Sequence, residues 1–514
     1  MHPRPAIWKA EGAALAPAPS WRARWPLAWL GCLVVLAGAA CEDEPARPGP
    51  LATSRGPRPD VVLVVVDALR ADRLGVYGGP AENSPTIDAI AREGVTFERA
   101  IAQAPWTQPS VASLLSSLYP SFHGVQDFQL AMDATYGDAP KIAVFGNECA
   151  TLPETLRAHG YRTAAFVANP FLDTAFGFSR GFDHFDASFA ALSTRGRRVN
   201  EAAVGWIRAR EPGVPVFLYL HYMDVHGPYD ARPGVLDPML DALERSGPRE
   251  RLDDAATERL GYLRTFPSVM RRPERHAELS RYREYWVARY DAGIREMDGY
   301  LAALRHALEV EGVWRDALVV ITADHGEALF EHGLWDHGKS LHDTELHVPL
   351  IVRWPGVAPA GTRVRAAVEL IDVMPTILDL LGIDAAGAGE GRSVGPLLTG
   401  GSGAAPEVAI AEAVKGRPGA RAIYAGDWKL ITDVDGGAAL YDLAHDPLET
   451  HDVGAARVTE AARLRRLLAD HAERAGALAA RRPAVGAAAT PAQVERLRAL
   501  GYLEPSPSGG ETPR

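Results

Sequence analysis

A chain of 514 residues exceeds the usual size of one folding unit, and its 47% hydrophobic and 23% charged content is that of a globular protein able to bury a large core. Its formal net charge of -11, with no long basic run to offset it, excludes nonspecific affinity for nucleic acid and leaves room for a locally positive pocket. Its three cysteines, Cys32, Cys41 and Cys149, form no Cys-x-x-Cys pair, which argues against a thiolate zinc site.

The N-terminus carries the pattern of an export signal. Arg22 and Arg24 form a basic flank, Leu27 to Ala40 is an uncharged apolar run too short for a comfortable membrane span, and Gly38-Ala39-Ala40 precede Cys41. Residues 1–41 are therefore expected to be a signal peptide of bacterial lipoprotein type, with Cys41 as a membrane anchor and a periplasmic, cell-envelope or secreted location. Gly38 stands where such signals usually carry Leu, and ordinary cleavage or an uncleaved anchor are the alternatives. Residues 42–58, rich in Pro, Gly and charge, read as a tether.

Order is expected from Asp60. Val61–Val66 is an unbroken β-branched run, the pattern of a strand buried on both faces. Similar runs recur at Thr163–Ala168, Val216–Tyr222, Leu318–Ala323 and Leu350–Arg353, with helical patterns at Thr151–His159, Asn200–Arg210 and Glu284–Leu308 between them. This alternation predicts an α/β/α sandwich on a mostly parallel sheet, occupying residues 59–400. Residues 230–283, polar and Arg-rich, look like an insertion, and Gly382 to Pro406 reads as a Gly- and Ala-rich linker. A smaller α+β subdomain over 405–503 follows. Its expected strands are Ala422–Tyr424, Trp428–Asp433 and Ala439–Asp442, its helices Ala455–Ala480 and Gln493–Leu503, and residues 504–514 form a disordered tail.

Ligands of open α/β sheets bind at the carboxyl ends of the strands, and the chemistry-bearing residues gather there. The first run ends in Asp67, and Leu318–Ala323 ends in Asp324-His325-Gly326-Glu327, a carboxylate and imidazole pair suited to a divalent ion. Taken singly, each has a plainer explanation as a helix cap or a turn. In Trp106-Thr107-Gln108-Pro109-Ser110, Pro109 marks the first turn of a helix and Thr107 sits at or just before its start, where backbone N–H groups and the helix dipole favour an anion. A Thr there is more often only a cap, but beside a metal its hydroxyl can be deprotonated and attack an ester. The turn after Leu218–Met223 carries Asp224-Val225-His226-Gly227-Pro228-Tyr229, and Glu331 to Lys339 adds His332, His337 and Lys339 in Gly-punctuated loops suited to holding an anion or protonating a leaving group.

These segments, in this order, resemble the sulfatase family of the alkaline phosphatase superfamily from about Arg58 to Glu449. The motifs that carry the resemblance are Val66-Asp67-Ala68-Leu69-Arg70, Thr107-Gln108-Pro109-Ser110, Asp224 to Tyr229, Thr322 to Glu327 and Val348-Pro349-Leu350-Ile351. Asp427-Trp428-Lys429-Leu430 and Leu440-Tyr441-Asp442-Leu443 resemble the family's C-terminal subdomain. The resemblance implies one divalent metal ion, Mn, Zn, Ca or Mg, held by Asp67, Asp324, His325 and the nucleophile Thr107. It further implies His226 near the leaving group, either Lys339 or His337 as the basic residue, and an anionic ester as substrate, whether envelope lipid, glycan or small molecule.

Four departures bear on that substrate. Thr107 stands where sulfatases carry the Cys or Ser that becomes formylglycine, and Val111 replaces the Arg of the same motif. Ala68 stands where calcium-type sulfatases have a second Asp, and the sulfate-gripping Lys-x-His pair falls near Ala168-Asn169-Pro170 and is missing. A formylglycine hydrate expels sulfate with its second hydroxyl, which a Thr cannot do, whereas a phospho-Thr can be cleaved by in-line attack. In this respect Thr107 is similar to the nucleophile of lipoteichoic acid synthase and related phosphoglycerol transferases. The expected activity is hydrolysis or transfer of a phosphorus ester, with a sulfatase that works without formylglycine and an inactive binding protein as the rivals.

Overall fold

The apolar run Val61–Val66 becomes β1, and all six of its side chains are fully buried. Each such burial is worth about 1.5–3 kcal/mol, so one strand contributes a large share of the core. The computed structural model describes residues 58–126, 141–189, 196–247, 280–384, 389–399, 407–417, 419–479 and 486–499. The expected signal with its Cys41 anchor, all but the end of the tether, residues 248–279 of the expected insertion and the tail lie outside the described residues. Among the described residues no helix is long and apolar enough to cross a membrane.

The strands that follow are β2 (Val95–Ile101), β3 (Lys141–Ala143), β4 (Arg162–Val167), β5 (His184–Asp186), β6 (Val216–Tyr222), β7 (Leu318–Thr322), β8 (Ala328–Leu329) and β9 (Trp335–Asp336). Next come β10 (His347–Arg353), β11 (Thr362–Glu369), β12 (Ala409–Ala411), β13 (Arg421–Ala425), β14 (Trp428–Thr432), β15 (Ala438–Asp442) and β16 (Gly486–Ala488). Eight of them form one sheet in the order β11-β2-β10-β7-β1-β6-β4-β5. All pairings are parallel except those of β10, which is antiparallel to both β2 and β7. The expected strand at Leu350–Arg353 thus begins earlier and runs against its neighbours. Its entry is a single helical turn, Asp343–Leu346, at the carboxyl edge of the sheet, and a strand that starts at that edge can only run back across it.

Helices cover both faces of this sheet. His221 and Tyr222 are consecutive in β6, so their side chains leave from opposite faces. The Tyr222 hydroxyl donates to Asn200 (2.6 Å) in the helix Gly196–Arg208, and Asn200 in turn donates to the Tyr300 carbonyl (2.8 Å) in the helix Arg283–Val310. On the other face, Leu318, Val320 and Leu350 pack against Val373, Ile377 and Leu380 of the helix Val373–Leu380. The result is the expected α/β/α sandwich, with β2, β5 and β11 as strands that the sequence patterns did not predict. The expected insertion contains the helix Pro233–Ser246. Of the expected linker, residues 389–391 are docked instead: the amides of Glu390 and Gly391 donate to the Ser117 carbonyl (2.7 and 3.3 Å). A Cβ on Gly389 would collide with Ser117 and one on Gly391 with the Ile371 carbonyl, which is why glycine occupies both positions.

β12-β13-β14-β15 form a second, antiparallel sheet covered by the helix Val458–Ala479, whose Ala461, Leu464 and Leu468 pack on Ile423, Leu430 and Leu440. The completely buried Lys429 ammonium of β14 binds Asp343 (2.7 Å) and Glu449 (2.5 Å), tying this sheet to the loop ahead of β10. Removing the cation would strand two carboxylates, so Lys429→Met is expected to cost about 3–5 kcal/mol of unfolding free energy, measured by denaturant titration.

Candidate active site

Strand register brings the predicted residues together. Val65 of β1 pairs with Thr322 of β7 and with His221 of β6, and His221 pairs with Val167 of β4. Two residues beyond these, on the same face, stand Asp67, Asp324 and Asn169, side by side at the carboxyl edge. Ala68 follows Asp67 in a left-handed conformation (φ 61°), unfavourable for a non-glycine residue, which turns the chain away from the strand direction just after Asp67. The Ala68 amide donates to Asp324 Oδ1 (3.3 Å), as does that of His325 (3.0 Å). Gly326 lies so close to the Thr344 carbonyl that a Cβ would stand 2.2 Å from it, which explains the glycine after the Asp-His pair.

Thr107 is the first residue of the helix Thr107–Ser116, which follows an extended Trp106 at the N-cap. Its hydroxyl lies 3.4 Å from Asp67 Oδ2 and 3.4 Å from His325 Nε2. Asn169 donates its amide to this hydroxyl (3.1 Å) and to Asp67 Oδ2 (2.6 Å), while its own oxygen accepts from the Phe171 amide (2.8 Å) and so fixes the orientation. The helix is anchored from below by Ser110, whose hydroxyl donates to the Asp324 carbonyl (2.5 Å), and by Gln108, whose amide donates to the Ala143 carbonyl (2.8 Å). The hydroxyl therefore faces the carboxylates at the positive end of a pinned helix.

The donor set fits a divalent ion. Asp67, Thr107, Asp324 and His325 are almost wholly buried. Asp67 Oδ1 and Asp324 Oδ2 have no hydrogen-bond partner among the described residues, and both face His325 Nε2, at 3.3 and 3.6 Å. His325 Nδ1 lies 2.8 Å from the Gly326 carbonyl; a donated N–H there leaves Nε2 as the metal-ligating atom. Burial raises the Asp67 carboxyl, but the imidazoles of His325, His226 and His221 outweigh it and hold it below the usual carboxylate range. Burial pulls the His325 imidazole down, while Asp324 and Asp67 together carry it up to about 9.

Of the other predicted residues, His226 is buried, with Nδ1 against the Gly227 carbonyl (2.8 Å) and its ring 4.9 Å from that of His337. The His337 ring lies 4.4 Å from that of His325, and burial, aided by Lys415, holds its pKa well below the usual range. Lys339 is turned away: its ammonium binds the Trp335 carbonyl (2.6 Å) and Asp336 (3.3 Å), and 37% of the side chain is exposed. Between the two candidates for the basic position, the structure brings only His337 beside His325.

Three residues escaped the sequence reading. Asn169 occupies the stretch where a Lys-x-His pair was sought, and its position two residues past a buried strand was the available signal. His221 is an imidazole in an otherwise apolar and aromatic strand, close to its carboxyl end. Lys415 comes from the C-terminal part of the chain with no local signal at all. Its ammonium stands 5.4 Å from the Trp106 ring centre, and its stem lies against Gly338, where a Cβ would clash at 2.5 Å. The segment is held by Trp106 Nε1 donating to the Ala413 carbonyl (2.8 Å) and the Lys415 amide donating to the Gly338 carbonyl (2.9 Å). Burial lowers the Lys415 ammonium to about 8 despite the opposing pull of Asp336. A cation thus stands beside the residues adjoining both Thr107 and His337.

Comparison with known proteins accords with this geometry. Residues 330–473 match the C-terminal region of N-sulphoglucosamine sulphohydrolase. The multifunctional alkaline phosphatase superfamily protein PehA of Trinickia caryophylli is 26% identical over 405 residues, covering 66% of this chain and 77% of that one. The steryl-sulfatase of Mus musculus is 26% identical over 454 residues, 73% of this chain and 70% of its own. Among solved structures, the phosphonate monoester hydrolase of Agrobacterium radiobacter superposes with a TM-score of 0.59 at 20% identity over 84% of this chain and 100% of that one. A sulfatase-like protein of Bacteroides thetaiotaomicron gives 0.63 at 20% identity over 85% and 96%. Residues 59–383, more than half of the chain, match the sulfatase family description, and the chain belongs to that family of the alkaline phosphatase superfamily.

Proposed function

We propose that this chain is a metal-dependent ester hydrolase or transferase that uses Thr107 as its nucleophile and acts on a phosphorus ester. The observation that carries this reading is the placement of the Thr107 hydroxyl. It meets the side chains of Asp67, His325 and Asn169, lies 3.4 Å from a buried carboxylate, and accepts a hydrogen bond from a fixed amide. The ion that Asp67, Asp324 and His325 would hold supplies neutralisation of the nucleophile and of the substrate's non-bridging oxygens.

The Thr107 hydroxyl, its pKa lowered beside a bound ion, loses its proton to solvent, and the Asn169 amide steadies the oxygen that develops charge. Oγ1 forms a bond to phosphorus as the bond to the leaving oxygen breaks. With Nδ1 engaged by the Gly227 carbonyl, His226 has Nε2 to deliver a proton to that leaving oxygen. His337 and Lys415 flank the transferring group. Water or an acceptor alcohol then attacks phosphorus in line and breaks its bond to Oγ1, restoring Thr107. A single hydroxyl suffices for this second step on phosphorus but offers no means of expelling sulfate. The N-terminal pattern ending at Cys41 supports an exported, envelope-tethered location, where lipid, glycan and scavenged esters are the available substrates.

A sulfate ester is the second reading, favoured by relatives such as the N-acetylglucosamine-6-O-sulfatase of Bacteroides thetaiotaomicron, 22% identical over 479 residues. Metal-loaded protein assayed on aryl sulfates, phosphomonoesters, phosphodiesters and phosphonate monoesters separates the two. Turnover of a phosphorus ester is expected to fall more than about a thousandfold in Thr107→Ala with fold and metal content kept. Turnover confined to sulfates would overturn the phosphorus reading. Lys415→Met is expected to lower kcat/KM for the same ester by about 10- to 100-fold, with Lys415→Arg recovering part of the loss.

A further inference from the structure

His221 is a group that the mechanism above leaves unused. It stands in β6, in the sequence Val-Phe-Leu-Tyr-Leu-His-Tyr, and is completely buried. Neither ring nitrogen finds a hydrogen-bond partner among the described residues. Burying an imidazole that is left unsatisfied costs about 1–3 kcal/mol for each unpaired group, so a sheet that tolerates it at its centre calls for a reason. The surroundings provide one. His221 Nε2 lies 3.7 Å from Asp324 Oδ2 and 3.9 Å from Asp67 Oδ2. These distances are too long for hydrogen bonds, yet ligand atoms each about 2.1 Å from one shared ion stand roughly 3–4 Å apart. His325 Nε2 keeps comparable separations from the same two carboxylates, 3.3 and 3.6 Å.

We propose that His221 is a further ligand of the ion at this site, making it a two-histidine, two-carboxylate centre for a transition ion of the Zn2+ or Mn2+ class rather than for Ca2+ or Mg2+. This rests on the reading of Asp67, Asp324 and His325 as a metal site and adds to it a fourth side chain and a metal class. Calcium and magnesium take oxygen ligands almost exclusively, whereas each imidazole moves a site toward borderline ions. The local sequence agrees. Ala68 has no side-chain oxygen to offer beside Asp67, and the imidazole of His221 comes from the neighbouring strand β6. Two neutral imidazoles and two carboxylates also balance a divalent ion's charge, so the centre becomes negative only when Thr107 loses its proton.

The test uses the full chain, stripped by chelation and reloaded with Mn2+, Co2+ or Ca2+. Metal analysis gives the stoichiometry, and pulsed electron paramagnetic resonance of the Mn2+ form counts coordinated imidazole nitrogens. Two imidazoles are expected in the wild type and one in His221→Gln, with Mn2+ affinity at least ~10-fold weaker in the variant. Millimolar Ca2+ should fail to displace Mn2+ from the wild type. A wild-type count of one imidazole overturns the proposal while leaving the three-residue site intact, and this needs no variant to fold. Unchanged affinity in a folded His221→Gln overturns it too, as expected if His221 is only an imidazolium paired with the carboxylates. Failure of the wild type to bind any ion removes the site and the proposal together.

Discussion

Everything in this molecule is arranged around two carboxylates that have been taken out of water. Asp67 and Asp324 end adjacent parallel strands and are completely buried. Ligand oxygens of the pair come within 4.8 Å of each other, where two negative charges repel by about 3–4 kcal/mol at an effective dielectric near 20. Such a pair persists only beside positive charge. The His325 imidazole stands between them, 3.3 and 3.6 Å from their oxygens, and the donor set fits a divalent ion. The apolar strands β1 and β7 provide the rigidity, because fully packed side chains give the carboxylates no path by which to move apart.

The same constraint explains why the Thr107 hydroxyl is where it is. A hydroxyl at a helix N-terminus usually satisfies the helix's own amides. Here Trp106 enters in an extended conformation, and Ser110 ties the first turn to the backbone of Asp324 itself. The helix and the carboxylate strand are thereby tied together, and the partners of the Thr107 hydroxyl among the described residues are Asp67, His325 and Asn169. Asn169 completes that set from a third strand tip, in the stretch where the family's sulfate-gripping residues would have stood.

How much of this could be read from sequence depended on whether the signal was local. β1, β6 and β7 announced themselves as apolar runs because they are buried on both faces. Asp67, Asp324 and His325 stood out as polar residues at the ends of such runs, and Pro109 marked the helix that presents Thr107. β11, Thr-Arg-Val-Arg-Ala-Ala-Val-Glu, is an edge strand whose exposed residues dilute the pattern. β10 was visible as a strand, but its direction is set by the short turn before it. His337 and Lys339 could not be separated by spacing, because the left-handed Asp336 (φ 71°) and Gly338 (φ 79°) break the regular alternation of side-chain directions there. Lys415 was beyond reach, since only tertiary packing against Trp106 and Gly338 brings it to the site.

That last contact bears on the order in which the molecule is made. The strands that carry Asp67, Asn169 and Asp324 are all synthesised before the segment around Lys415, and domains can begin to fold as they emerge. A nascent chain could therefore assemble the sheet and its carboxylates while one wall of the site still lacked its cation. The wall of the cleft is thus closed late, by a strap from the second sheet that packs onto Trp106 and Gly338, the residues beside Thr107 and His337.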